Sequence, residues 1–350
     1  MFQSIELVGV SEIAEIAKVS TQNVNNWISR NSDFPDPVEE LKAGKVYNKE
    51  QVIRWLKQKG KIMGAKTIAF INLKGGVAKT TTTVGTAMIL AGVYGKKVLV
   101  IDLDPQTNCT TMLIGEEKWK ELNGDREKGD VSFTLLELFK DALNETHNFD
   151  LEKTLQKGVG NVGEVKTLDL LPSSLDMIDI QDKLATAPQG QFYANNPVDI
   201  IKRAIHNIKN DYDYILIDCP PNMGLITLNG LRIADGYIIP TIPDVLSTYG
   251  IPQIINRVNR FAENIGDPIP CLGIVATKVR GQSSLHARTM QELSKGKDAY
   301  MFKTVFYENN QMGEAAEYQS INTLRQKWGY QGQYDRLESF TNEVMAAVEE

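Results

Sequence analysis

The sequence predicts an α/β fold, a mostly parallel sheet flanked by helices, with a small helical module ahead of it. Three observations carry this prediction. Short continuous apolar runs recur after the first sixty or so residues, at Thr67–Ile71, Val98–Ile101, Asp213–Asp218 and Cys271–Lys278. Such runs suit strands covered on both faces, as in parallel sheets. A glycine- and lysine-rich turn, Lys74–Lys79, joins the first run to a helical apolar segment, Val84–Tyr94. Acidic residues, Asp102 and Asp218, close two of the runs, at the strand ends where α/β proteins hold ligands.

A chain of 350 residues has room for two or three domains. Apolar content of 42% with 23% charge is ordinary for a globular protein and argues against a disordered or fibrous one. No apolar run approaches the ~20 residues that span a bilayer, and the first residues lack the basic start of a secretory signal. Cys109, Cys219 and Cys271 are widely spaced without a C-x-x-C pair, which fits reduced thiols in a cytoplasmic protein and disfavours an iron–sulfur site. Net charge is −6, split as +1 over residues 1–64 and −7 over the rest. Any nucleic-acid binding must therefore use local basic patches against the overall charge.

Residues 1–60 read as a small DNA-reading module. Val10–Ala17 has apolar residues at helical spacing, with Ser11 as the expected N-cap. A second helix runs from Thr21 to Arg30, with Val24, Trp27 and Ile28 on one face. Thr21, Gln22, Asn23, Asn25, Asn26 and Arg30 make the other face, and amides at the start of a second helix suit base edges in the major groove. Val38–Tyr47 is expected to form a β-wing with Lys42 and Lys45 near phosphates, and Asn48 to cap a last helix, Lys49–Lys59. The line V-S-E-I-A-E-I-A-x-V-S-x-x-x-V-x-x-W resembles the winged helix-turn-helix of the MerR/excisionase type. A small helical protein-interaction domain is the alternative. Residues 61–65 are a short linker, and residues 66–350 form the remaining domain.

That domain opens on KTIAFINLKGGVAKTTTT, a strand, a glycine-rich loop and a helix start. The order builds a phosphate cradle, because backbone N–H groups and the helix dipole converge on an anion. Gly75 and Gly76 let the backbone come close, and Val77, Ala78 and Thr81 complete the cradle. Lys79 would reach the β- and γ-phosphates and the Thr80 hydroxyl would bind Mg²⁺. The ordinary phosphate loop has glycine where Ala78 stands; a positive φ there would cost ~1 kcal/mol or more. An additional lysine, Lys74, precedes the glycine pair.

A lysine at each end of the loop resembles the deviant phosphate loop of the ParA/MinD family of ATPases, and so implies a P-loop NTPase fold. The resemblance implies that Lys74 crosses a nucleotide-sandwich homodimer to the partner's ATP. The segment Asp102–Thr110, D-x-D-P-Q-x-N-x-T, resembles the family's second motif. It implies that Asp104 orients the attacking water and that Asp102 lies near the Mg²⁺ shell; two carboxylates capping a turn are the alternative. The strand ending in Asp218-Cys219-Pro220-Pro221 resembles the Walker B segment, which makes Asp218 a holder of Mg²⁺ through its water shell. Pro243–Ile251 resembles the nucleotide-sensing loop and helix start at the dimer face. Thr304–Asn310 aligns with the T-x-I-P-R-N stretch, so Asn309 is the candidate for adenine, with Tyr307 and Glu308 replacing Pro and Arg.

The intervening elements are less marked. A charged stretch, Glu116–Asp130, and an amphipathic helix, Thr134–Leu143, read as an insertion. A strand is expected at Thr167–Leu171, helices at 178–184 and 198–208 with a loop at Ala187–Asn196, a helix over Asn222–Ala234, a strand at Tyr237–Pro240 and an apolar-acidic helix at Phe340–Glu350. Lys278, Arg280, Arg288, Arg325 and Lys327 are candidates for phosphate contacts, each equally compatible with a solvated surface.

The combined resemblance implies a plasmid or replicon partition ATPase that uses ATP and Mg²⁺. Its ATP-bound dimer would grip DNA without sequence preference and release it when a ParB-like centromere-binding protein stimulates hydrolysis. The N-terminal module would add operator binding and autoregulation, and the protein would be cytoplasmic and nucleoid-associated. The alternatives are a repressor with a nucleotide-sensing ATPase fold, or a ParA-like positioning ATPase for a protein cargo.

Overall fold

The computed structural model of the chain describes residues 6–41, 44–62, 64–125, 129–186, 196–296, 299–330 and 332–349. They fall into two compact units. The first runs to Ala65 and also takes in Asn207–Asp213; the second comprises Lys66–His206 and Tyr214–Glu350.

In the first unit, β1 (Leu7–Val8), β2 (Glu39–Leu41) and β3 (Gly44–Asn48) form an antiparallel sheet in the order β1-β3-β2. Three helices accompany it, Val10–Ala17, Thr21–Arg30 and Lys49–Gln58. Ser20 accepts from the Asn23 N–H at 3.3 Å, and Asn48 accepts from the Gln51 N–H at 3.1 Å. The first helix differs from expectation, because Gly9 rather than Ser11 is its N-cap. The Glu12 carboxylate accepts the Gly9 N–H at 3.0 Å, so the helix starts two residues earlier and Ser11 lies inside it. The core is aromatic at its centre: Phe34 meets Tyr47 edge-on at 5.4 Å and Trp55 at 4.8 Å, over buried Ile13, Val24, Val52 and Leu56. Arg54 holds segment 207–213 by donating to both oxygens of Asp211, at 2.6 and 2.7 Å.

The second unit is built on seven parallel strands. They are β4 (Lys66–Phe70), β5 (Val98–Asp102), β6 (Leu168–Leu171), β7 (Tyr214–Asp218), β8 (Gly236–Thr241), β9 (Cys271–Val279) and β10 (Met301–Tyr307), in the order β10-β9-β8-β4-β7-β5-β6. The central strands are buried along their whole length, as their unbroken apolar runs require. Register decides the site: Phe70 pairs with Asp218, and Asp218 with Asp102. Three strand ends thus finish at one level.

The helix Lys79–Gly92 packs on this sheet and is buried from Thr82 to Ala91. The helix Gln333–Glu349 lies across it. Gly85 permits that approach, since a Cβ there would come within 2.6 Å of the Leu337 side chain. The expected helix at 198–208 is broken into a 3-10 turn at Pro197–Asp199, a short helix at Ile200–Ala204 and a second turn at Lys209–Asp211. Asn229 fixes its start, accepting from the Ile201 N–H at 3.1 Å and donating to the Pro197 carbonyl at 2.8 Å. The helix over the third motif begins at Leu225 rather than at 222, with Gly224 as its cap. Of the loop expected at Ala187–Asn196, residues 187–195 lie outside the described residues.

Candidate nucleotide site

The loop between β4 and the helix Lys79–Gly92 carries the glycines and both lysines. Gly76 has φ +74° and Ala78 φ +62°, both left-handed. Alanine is the helix N-cap in that conformation, where its Cβ crowds the carbonyl and costs about 1–2 kcal/mol. The loop is pinned from three sides. Asn72 donates to the Pro240 carbonyl at 2.8 Å and accepts the Lys74 N–H at 2.9 Å. Thr277, at the end of β9, donates to the Val77 carbonyl at 3.0 Å. Among the described residues, the N–H groups of 75–78 find no acceptor, and a Cβ at Gly75 or Gly76 would enter open space. Orphan donors around an open concavity fit a phosphate group.

The Lys79 side chain turns inward and is buried, its ammonium donating to the Lys74 carbonyl at 3.3 Å. Burial lowers its pKa, and Asp218 and Asp104 work against that shift. Thr80 donates to Asp218 at 2.7 Å, and Thr83, one turn on, approaches the other Asp218 oxygen at 3.4 Å. Burial raises Asp218 to about 7; the Thr80 bond and the Lys79 charge pull it down while Asp104 adds to the rise. Asp102 is fully buried, and burial followed by the charge of Asp218 pushes its carboxyl well above the usual range. Both of its oxygens are engaged, by the Asp104 N–H at 3.0 Å and by the Thr110 N–H and hydroxyl at 2.9 and 2.6 Å. Asp102 therefore anchors the turn that carries Asp104. Asp104 itself accepts the Gln106 N–H at 3.0 Å; burial raises its pKa, opposed by that bond and by Lys79.

Lys74 points elsewhere, into an ion pair with Asp244. Asp244 is the N-cap of the helix Val245–Ile265 and accepts the Ser247 N–H at 3.0 Å. Burial works to raise its pKa, but the bonds from Lys74 and Ser247 outweigh it and the carboxyl is lowered.

The structure thus gathers Lys79, Thr80, Asp102, Asp104 and Asp218 into one cluster. Asn309 stands just past the carboxyl end of β10, three strands out from β4. In the N-terminal unit, Thr21, Gln22, Asn23, Asn25 and Arg30 are exposed and Asn26 is half-buried. Lys45 is exposed on β3, and Lys42 lies outside the described residues. Of the basic residues singled out, Arg280 pairs with Glu308 at 2.7 Å and Arg325 with Asp335 at 2.9 Å. Lys327 is not a surface residue: only 3% is exposed, it donates to the Glu317 carbonyl at 3.4 Å, and burial lowers it to about 8. It lies on the inner side of the short helix Leu324–Trp328, between two buried apolar residues. Sequence reasoning missed Asn72, Asp244 and Thr277, and it placed Thr110 in the second motif without a role. Only Asp244 has a local signal, an Asp three residues before Ser247 at a helix start.

Two results follow from this geometry. Ala78→Gly is expected to raise stability by about 0.5–1 kcal/mol, the relief of the left-handed Cβ less the added chain entropy. A lowered melting temperature would show that the loop does not hold that φ. Asp218 titrates at 3.8 when unfolded and at about 7 when folded. Between those values the folded chain keeps a proton that the unfolded chain has lost, so this group makes stability fall as pH rises across the window. Asp102 adds a slope of the same sign. Melting curves at pH 5 and pH 8 should show the fall shrinking in Asp218→Asn; an unchanged slope would remove Asp218 as its source.

A family model described as an AAA domain matches residues 65–269. The sporulation initiation inhibitor protein Soj of Bacillus subtilis is 30% identical over 250 residues, which is 71% of this chain and 87% of that protein. The chromosome partitioning protein ParA of Caulobacter vibrioides is 25% identical over 254 residues, 72% of this chain and 84% of its own length. Among solved structures, a plasmid partition protein from Borrelia burgdorferi bound to AMPPNP has the same fold, with a TM-score of 0.58 at 20% identity over 81% of this chain and 99% of that one.

Proposed function

Because this chain belongs to the AAA-domain family, among the ParA/MinD-type P-loop ATPases that include Soj, we propose that it is a DNA-partition ATPase. The observation that carries the reading is the convergence of Lys79, Thr80, Asp104 and Asp218 beside a loop of unsatisfied N–H groups. The residues present fit ATP and Mg²⁺. Thr80 and Asp218 would hold the metal, with Asp102 behind them fixing the Asp104 turn. A Mg²⁺ held by Thr80 and Asp218 would supply neutralisation of the phosphate charge. Lys79 and the 75–78 N–H groups bind and orient the phosphates. Asp104 orients a water for attack and accepts its proton. Asn309 is the residue for adenine.

Lys74 exchanges Asp244 for the phosphates of a second copy, so ATP joins two chains into a dimer. The dimer grips DNA without sequence preference, and two weak surfaces acting together gain by effective concentration. A ParB-like centromere-binding protein stimulates hydrolysis and DNA is released. The first sixty residues read an operator through Thr21, Gln22, Asn23, Asn25, Asn26 and Arg30, with Lys42 and Lys45 on backbone, and so repress the protein's own operon. The site of action is the cytoplasm, on the nucleoid.

The test is a titration of random-sequence duplex DNA at one salt concentration with ATP, ADP or no nucleotide. Tight binding with ATP alone is the expected result. Binding that ignores nucleotide would sink the partition reading and leave a repressor.

A further inference from the structure

The helix Val245–Ile265 is 21 residues long and two-faced. Ile251, Ile254, Val258 and Phe261 are buried against the body of the unit. On the other face, at steps of three and four, stand Tyr249, Gln253, Asn256, Arg257 and Arg260, all but Tyr249 polar and all exposed. Neither Arg257 nor Arg260 makes an ion pair among the described residues. The neighbouring helix Ser284–Lys295 packs alongside and exposes Arg288. The acidic groups nearby are Glu263 one turn on, Glu292 at 3.9 Å from Arg288, and Asp267, which Arg232 engages at 2.6 Å.

We propose that Gln253, Asn256, Arg257 and Arg260, with Arg288 of the adjoining helix, form a surface that binds the phosphodiester backbone of duplex DNA. The inference rests on the DNA-binding reading above and gives it a location. Charge complementarity selects the occupant. In a unit of net negative charge, this stripe offers two unpaired guanidinium groups, about 4.5 Å apart along the helix axis, flanked by amides that donate to phosphate oxygens. A duplex presents one charge per ~1.7 Å of axis, so both arginines meet phosphates at once. A lipid surface is disfavoured because the exposed apolar residues of the helix, Val245, Leu246 and Tyr249, stand at its N-terminal end, eight or more residues before Arg257, and the arginines themselves are flanked by amides. The stripe runs along the side of the helix, and guanidinium groups flanked by amides there contact backbone oxygens without base readout.

The experiment compares the full chain with R257A/R260A and with K202A/R203A, an exposed basic pair on another helix, each with ATP and Mg²⁺ on a random-sequence duplex across a salt series. R257A/R260A should bind about ten- to a hundredfold more weakly, with a log K against log salt slope shallower by about 2 per protomer. K202A/R203A should match the parent, and DNA-free ATP hydrolysis should match in all three. R257K/R260K, which keeps the charge, should restore the slope. Equal affinity and slope in R257A/R260A would overturn the surface while leaving ATP-dependent DNA binding by the parent intact. Equal losses in both alanine pairs would also overturn it, as an effect of net charge alone. Loss of binding to phosphatidylserine vesicles with duplex binding unchanged would overturn it in favour of a lipid. A parent chain that ignores DNA in ATP would remove the function reading and this surface together.

Discussion

Replacing Asp104 by alanine is expected to leave ATP and DNA binding in place while turnover falls by about 10²–10⁴-fold, the usual worth of a positioned general base. The residue is suited to the separation. Its carboxylate is buried beside Lys79 yet, among the described residues, accepts only the Gln106 N–H, 3.0 Å away, leaving an oxygen for water. Asp102, by contrast, has both oxygens taken. Single-turnover hydrolysis beside an equilibrium nucleotide titration makes the distinction. Normal turnover in Asp104→Ala would move the base elsewhere.

Lys79→Ala should abolish ATP binding at ordinary concentrations. Removing one partner of a buried charge pair costs about 2–5 kcal/mol, a loss of roughly thirty- to several-thousandfold in affinity. The effect is compounded at the metal side. Lys79 draws down the pKa of both Asp218 and Asp104, so its loss raises both carboxyls and favours their protonated forms near neutral pH, when they are needed as anions. Lys79→Arg should keep that electrostatic relief and recover part of the binding. Isothermal titration with ATP and Mg²⁺ reads both variants, and tight binding by Lys79→Ala would disqualify this loop as the phosphate site.

Much of this was legible in the sequence where the signal was local. Strands β4, β5 and β7 are unbroken apolar runs, and the Asp at the end of β5 and of β7 sits at the ligand edge because parallel strands start and stop together. The glycine pair and two lysines announced the loop. What was hidden depended on distant partners. Nothing near Lys74 points to Asp244, 170 residues on, and nothing near Val77 points to Thr277. Lys327 looked like any surface cation until its helix turned it inward beside Trp328. Ser11 looked like a cap until Glu12 reached back to Gly9. The cationic stripe of the helix Val245–Ile265 is spread one residue per turn, so no window of sequence reads as basic.

The ion pair between Lys74 and Asp244 also has a bearing on how readily the protein changes state. Both side chains keep partial contact with solvent, 40% and 26%, and pairs in that setting contribute about 0–1 kcal/mol. The lysine is parked rather than locked. Its displacement by a multiply charged competitor meets little resistance, so the threshold for leaving the resting arrangement is set by the arriving ligand and not by the strength of the contact that is given up.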